Sequence, residues 1–157
     1  MASLAWRQQV RQWLPLLGHR NWIAIVDSAY PWQVAPGVET VATGAAQLNV
    51  ASFVLGEVAK APHVRPEIFL DAELERLPEK DAPGIEMYRH ELKRLLGAQQ
   101  ASALAHEKII AMLDEAGKSF RVLVLKSTLV LPYTSIFLRL DCGYWSAEAE
   151  RRLRRKS

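Results

Sequence analysis

The chain has 157 residues, half of them hydrophobic and 24% charged, which suits one domain with its own core and excludes a disordered polymer or a pair of full domains. Its net charge of +3 sits at the end: Arg151, Arg152, Arg154, Arg155 and Lys156 are five of the 20 basic residues, so the residues before them carry 15 basic against 17 acidic side chains. A mildly acidic body lacks the basic face of a nucleic-acid binder, the single Cys142 excludes an intrachain disulfide, and no apolar run reaches the roughly 18 residues of a membrane span. These features predict a cytoplasmic, soluble protein with a domain over residues 1–145 and a basic tail at 146–157.

In chain order, Ser3 is placed to cap a helix whose Leu4, Val10, Trp13, Leu14 and Leu17 recur at helical spacing, and Gly18 to stop it. Trp22 to Val26 is an apolar run closed by Asp27, which predicts a buried strand with a carboxylate at its C-terminal tip. Pro31, Pro36 and Gly37 mark a loop, and Thr43 to Lys60 reads as a helix. Glu67 to Leu70 predicts a short strand bounded or interrupted by Pro62 and Pro66, and Asp71 to Gly84 an exposed loop. Helices are expected at residues 85–96 and about 100–116. Strand-like stretches at 120–130 and 134–140 meet at Leu131-Pro132-Tyr133, and Ser146 to Lys156 continues as an exposed helix. The alternation predicts an α/β domain with a central, mostly parallel sheet flanked by helices.

Chemistry is first suggested by His19, beside Gly18 at the end of a helix, and by Asp27 at the end of the next strand. Ligand sites in open α/β sheets collect at strand tips, and a histidine both takes and gives a proton near neutral pH. Spacing alone leaves a second reading open, in which the histidine caps the helix and the aspartate caps the loop. There is no Gly-x-Gly-x-x-Gly after a strand and no Walker lysine motif, and His19, His63, His90 and His106 lack paired metal-ligand spacing, so neither a cofactor nor a metal is expected.

Leu17-Gly18-His19 followed by Asp27-x-x-x-Pro31 resembles the Gly-His and Asp-to-Pro signature of the ribose pyranase and fucose mutarotase (RbsD/FucU) family. Leu131-Pro132-Tyr133-Thr134-Ser135-Ile136-Phe137-Leu138 is similar to that family's Tyr-x-Asn strand, and Tyr88 to Gly97 to a helix of its fucose mutarotases. The resemblance implies a mutarotase that opens and recloses a monosaccharide such as fucose or ribose, in a ring-shaped homo-oligomer, pentameric or decameric. It implies that His19 is the catalytic histidine, that Asp27 stands behind it, and that Tyr133 shuttles a proton to the sugar. A site shared between subunits follows, with His19 and Asp27 from one and Tyr133 from the next. Ser135 stands where the family has a sugar-binding asparagine, and His106 corresponds to a ligand-contacting histidine although its spacing to Tyr133 is longer. Tyr30 is an aromatic candidate for stacking on a pyranose face, with core closure as its other reading. Thr128-Leu129 replaces a Gly-Glu pair, and this departure, with Ser135, keeps open a non-catalytic sugar- or effector-binding protein of the same fold.

Overall fold

The computed structural model describes residues 2–156. A six-stranded mixed sheet carries helices on both faces. In chain order the elements are α1 (Ala2–Trp13), β1 (Trp22–Val26), β2 (Val38–Ala42), α2 (Gln47–Lys60), β3 (Val64–Asp71), α3 (Ile85–Leu96), β4 (Ala101–Leu104), α4 (His106–Ala116), β5 (Val122–Lys126), β6 (Ile136–Cys142) and α5 (Ala147–Arg155). The strand order is β2-β5-β1-β6-β3-β4, with β6 antiparallel to both its neighbours and the other pairings parallel.

Burial explains the apolar runs. All five β1 residues are buried, as a central strand covered on both faces requires. Ile23 and Ile25 face a core built with Trp6, Val10, Val50, Val54, Ile85 and Leu92 from α1, α2 and α3. Trp22, Ala24 and Val26 face a second core with Phe69, Phe137 and the α4 residues Ile109 and Leu113. Each fully buried Ile, Val or Leu contributes about 1.5–3 kcal/mol, so these two layers dominate the stability.

Several elements differ from their sequence expectation. The first helix already runs at Ala2, so Ser3 lies inside it, and the Ser3 side chain is outside the described residues. Trp6 takes the buried position on α1, while Leu4 is 57% exposed. The helix gives way to a 3-10 turn at Leu14–Leu16, and Arg20, not Gly18, carries the left-handed backbone with φ 78°. The second helix starts at Gln47, because the preceding Gly44 turns the chain at φ 65°. Two edge strands, β2 and β4, lie in stretches read as loop and helix; their partners β5 and β3 supply the pairing that the local sequence does not signal. Gly37 admits β2 to this place, since a Cβ there would sit 2.5 Å from the Phe120 carbonyl.

The strand around Ile68 starts at Val64 and includes Pro66, which pairs with Leu140 of β6. β4 pairs only from Ile68 onward, so the missing Pro66 N–H costs no bond on that edge. The 71–84 segment holds a 3-10 turn at Ala72–Arg76, with Leu74 and Ala82 buried. At the other end Ser146 caps α5, its Oγ accepting from the Ala149 amide at 3.0 Å, and no α5 residue is buried. No helix among the described residues is long and apolar enough to cross a membrane.

Candidate functional site

Strand register gathers the polar residues of the second face at one edge of the sheet. Ile25 pairs with Ile136, so continuing the antiparallel register sets Asp27, just past β1, level with Thr134. Leu70 also pairs with Ile136, which sets Asp71 level with Ser135. Asp71 pairs with Leu104, and His106 opens α4 two residues later. Side chains alternate along strands, so Asp71 and Ser135, each two residues from a phenylalanine of the second core, face the same side as Phe69 and Phe137.

On that edge Asp71 and His106 form a close pair. The Asp71 side chain is wholly inaccessible; its Oδ1 lies 2.9 Å from His106 Nδ1, and its Oδ2 has no hydrogen-bond partner. Burial pushes the Asp71 carboxyl above its usual range, and the nearby Glu73 and Asp27 charges add to this, while the His106 hydrogen bond and charge offset only part of it. Glu73 accepts the His106 backbone N–H on both oxygens, at 3.0 and 3.2 Å, and sets a carboxylate at the α4 N-terminus where the helix dipole favours it. The His106 ring meets Tyr133 edge to face, with centroids 5.5 Å apart and planes at 85°.

Tyr133 is 39% exposed and holds φ 56°, a strained region for a bulky side chain. A buried polar frame imposes it. Gln47, at the start of α2, donates from Nε2 to the carbonyls of Ile25 (3.0 Å) and Thr134 (2.8 Å), and its Oε1 accepts from Ser127 Oγ at 2.7 Å. Tyr88 of α3 donates its hydroxyl to the same Thr134 carbonyl at 2.6 Å. The Leu129 amide donates to Ser127 Oγ, and Thr134 Oγ1 donates to the Leu131 carbonyl. Both ends of the 127–134 loop are thereby fixed, and Tyr133 has one backbone conformation to adopt.

The remaining sequence candidates fall as follows. Asp27 accepts the Ala29 amide on Oδ2 at 3.3 Å and is half-buried. Ser135 is buried at the start of β6. Tyr30 belongs to the second core; its hydroxyl contacts Gln33 Oε1 at 3.4 Å, and burial, then the charges of Asp114 and Asp71, push it up to about 12.

His19 lies elsewhere. The five residues of β1, about 16 Å of extended chain, separate its end of the sheet from Asp27. The turn at residues 18–21 is closed by Gly18 N donating to Asn21 Oδ1, and is tied to β6 by Arg20 N donating to the Leu140 carbonyl. The ring, 59% exposed, therefore stands beside Asp141, with Nδ1 2.9 Å from Oδ1, while Arg65 holds Oδ2 at 2.8 Å. Burial works against the Asp141 charge, but the Arg65 hydrogen bond, the Cys142 amide and the Arg65 and His19 charges outweigh it and hold the carboxyl below its usual range. Asp141, not Asp27, thus orients His19 within the chain. The expected grouping of His19 with Asp27 is corrected accordingly, since Asp27 shares its edge with Tyr133. A cavity of about 590 Å³, lined by His19, Arg65, Asp141, Tyr144 and Trp145 among others, opens on the His19 side.

Asp71, Glu73 and Gln47 were not legible as site residues. The signal for Asp71 existed, because it ends an apolar strand just as Asp27 does; Glu73 and Gln47 act only through tertiary contacts. Among the described residues no group of three His, Cys, Asp or Glu side chains is placed to hold a metal ion.

No protein-family model matches the sequence, and no curated protein matches it. Solved structures do share the fold. RbsD from Bacillus subtilis, in complex with D-ribose, is similar over 88% of this chain and 93% of its own, with TM-score 0.60 and 20% identity. FucU from Bifidobacterium longum is similar over 85% of this chain and 94% of its own, with TM-score 0.55 and 17% identity. The chain therefore has the RbsD/FucU fold.

Proposed function

We propose that this chain binds a free monosaccharide at the Asp27, His106, Tyr133 and Ser135 edge and interconverts its anomers or ring forms by acid and base catalysis, as a mutarotase or pyranase. The observation that carries this reading is the edge-to-face contact of His106 with Tyr133, two groups able to carry protons, at a sheet edge that also holds Asp27 and Ser135. The fold shared with a ribose-bound protein points to the same ligand class.

To open a cyclic hemiacetal, one group takes the proton from the anomeric hydroxyl and another delivers a proton to the ring oxygen. Rotation about the freed carbonyl carbon and closure by the reverse transfers give the other anomer, with no net gain or loss of atoms. The Tyr133 hydroxyl, directly or through a water, delivers to the ring oxygen. His19 takes the anomeric proton, and because the chain's own His19 is at the far end of β1, the histidine that serves a site comes from a neighbouring copy in a ring-shaped homo-oligomer. Asp141 directs Nδ1 of that histidine and leaves Nε2 for the sugar. Asp27 and Ser135 bind sugar hydroxyls. The unpaired Cys142 suits a reducing compartment, and we place the reaction in the cytoplasm.

The test is NMR saturation exchange between the α and β anomers of D-ribose and L-fucose, with and without protein. The wild type accelerates exchange of at least one; His19→Ala and Tyr133→Phe each lose about 10²-fold or more while sugar binding weakens little. Mixing the two variants in one oligomer restores part of the activity if the site is shared, and a monomer in light scattering refutes the sharing. A wild-type protein that binds a sugar yet leaves its exchange rate unchanged is a binding module instead.

A further inference from the structure

We infer that Asp71 is a positioning residue for His106: it holds the imidazole with Nδ1–H on its carboxylate and Nε2 toward the ligand edge, where Nε2 accepts from a sugar hydroxyl and orients the ring oxygen toward Tyr133. This rests on the reading of the site as a sugar site and adds a role that the resemblance assigned to no carboxylate.

Three observations carry it. The Asp71 side chain is completely inaccessible, and among the described residues its one hydrogen-bond partner is the His106 ring, at 2.9 Å. A buried carboxylate with a single partner and a bare Oδ2 is costly, and such costs persist where a group has work to do. Second, helix capping does not explain the pair, because the His106 backbone N–H is already satisfied by both oxygens of Glu73. Third, with Nδ1 taken, Nε2 is the nitrogen left on a ring that is 26% exposed and in contact with the Tyr133 ring.

The groups around Asp71 make the imidazole its electrical partner. Glu73 follows it, Asp27 faces it from the end of β1, and the Tyr30 and Tyr88 hydroxyls feel its charge from the loop after β1 and from α3. Four of these five neighbours, counting His106, are acidic or phenolic, and His106 is the one able to carry positive charge. Burial disfavours the bare charge on Asp71, and the His106 hydrogen bond and charge are what oppose it, so the Nδ1–H tautomer is the one that keeps the carboxylate.

The experiment reads the ring directly. Long-range ¹H–¹⁵N spectra of histidine-labelled full-length protein, with His106→Gln to assign the signal, show the Nδ1–H tautomer of neutral His106 in the wild type. Asp71→Asn keeps the shape but offers the ring both a donor and an acceptor, so neutral His106 populates both tautomers, and it slows anomer exchange at least tenfold, with sugar affinity within about threefold. An Asp71→Asn protein whose His106 keeps the single tautomer of the wild type, or whose exchange rate equals wild type, overturns the inference. If Asp71→Asn does not fold, the wild-type spectrum alone decides, since an Nε2–H tautomer also overturns it. The tautomer is measured without sugar, so failure of the mutarotase reading leaves it interpretable and failure of this inference leaves that reading intact.

Discussion

Replacing Gln47 by methionine removes the amide that ties β1, β6 and the 127–134 loop together while nearly preserving side-chain volume. Gln47 is 2% exposed, so its three hydrogen bonds, to Ile25 O, Thr134 O and Ser127 Oγ, are not exchanged for water when they are lost. At about 1 kcal/mol net for each bond, and more where a buried group is left bare, the loss is about 3–4 kcal/mol. That corresponds to a fall of roughly 6–16 °C in Tm for a chain of this size. Tyr88→Phe costs less, about 1 kcal/mol, because the Thr134 carbonyl still has Gln47. The double variant strips that carbonyl of both side-chain donors, so its cost exceeds the sum of the singles by about 1 kcal/mol. Urea unfolding of the four proteins measures the cycle. A Gln47→Met cost below about 1 kcal/mol, or strict additivity with Tyr88→Phe, refutes the claim that this frame holds the Tyr133 loop.

Asp141 titrates below its usual range in the folded chain, so its contribution is present above the unfolded carboxylate pKa of about 3.9 and is lost as pH falls through the lower folded value. The stability difference between wild type and Asp141→Asn, read from urea midpoints at several pH values, therefore shrinks as pH falls below about 4; a difference that grows on acidification contradicts the Arg65 and His19 pairing. Deleting Arg151–Lys156 leaves Tm within about 2 °C and sugar exchange unchanged, because α5 buries none of its residues and the Arg154–Glu150 pair is exposed. A loss of oligomer on deletion, seen by light scattering, shows instead that the tail is an assembly contact.

Residues that sequence made legible share one property, that their own neighbours in the chain announce them. The apolar Trp22–Val26 run is long and unbroken enough to mark a doubly covered strand, and Asp27 and Tyr133 stand out as polar groups at apolar strand ends. α3 was predicted at its observed bounds because its apolar side repeats at helical spacing and Gly97, at φ 56°, stops it. Short edge strands lack such signals. Ala101–Leu104 is as good a helix as a strand by propensity, and only β3 alongside decides for the strand.

Local patterning thus determined the α/β class, the central strands and the residue types at the loop ends, since burial on one face or two leaves its period in the sequence. Tertiary structure decided which of those residues meet. Strand register brought Asp71 to the edge where His106, 35 residues on, opens α4, and it set Asp27 beside the Tyr133 turn, while the extended length of β1 carried His19 to the opposite edge and gave it to Asp141. Two residues eight apart rise only about 12 Å along a helix, but a strand between them carries them to opposite ends of the sheet, and that geometry is what separates His19 from Asp27.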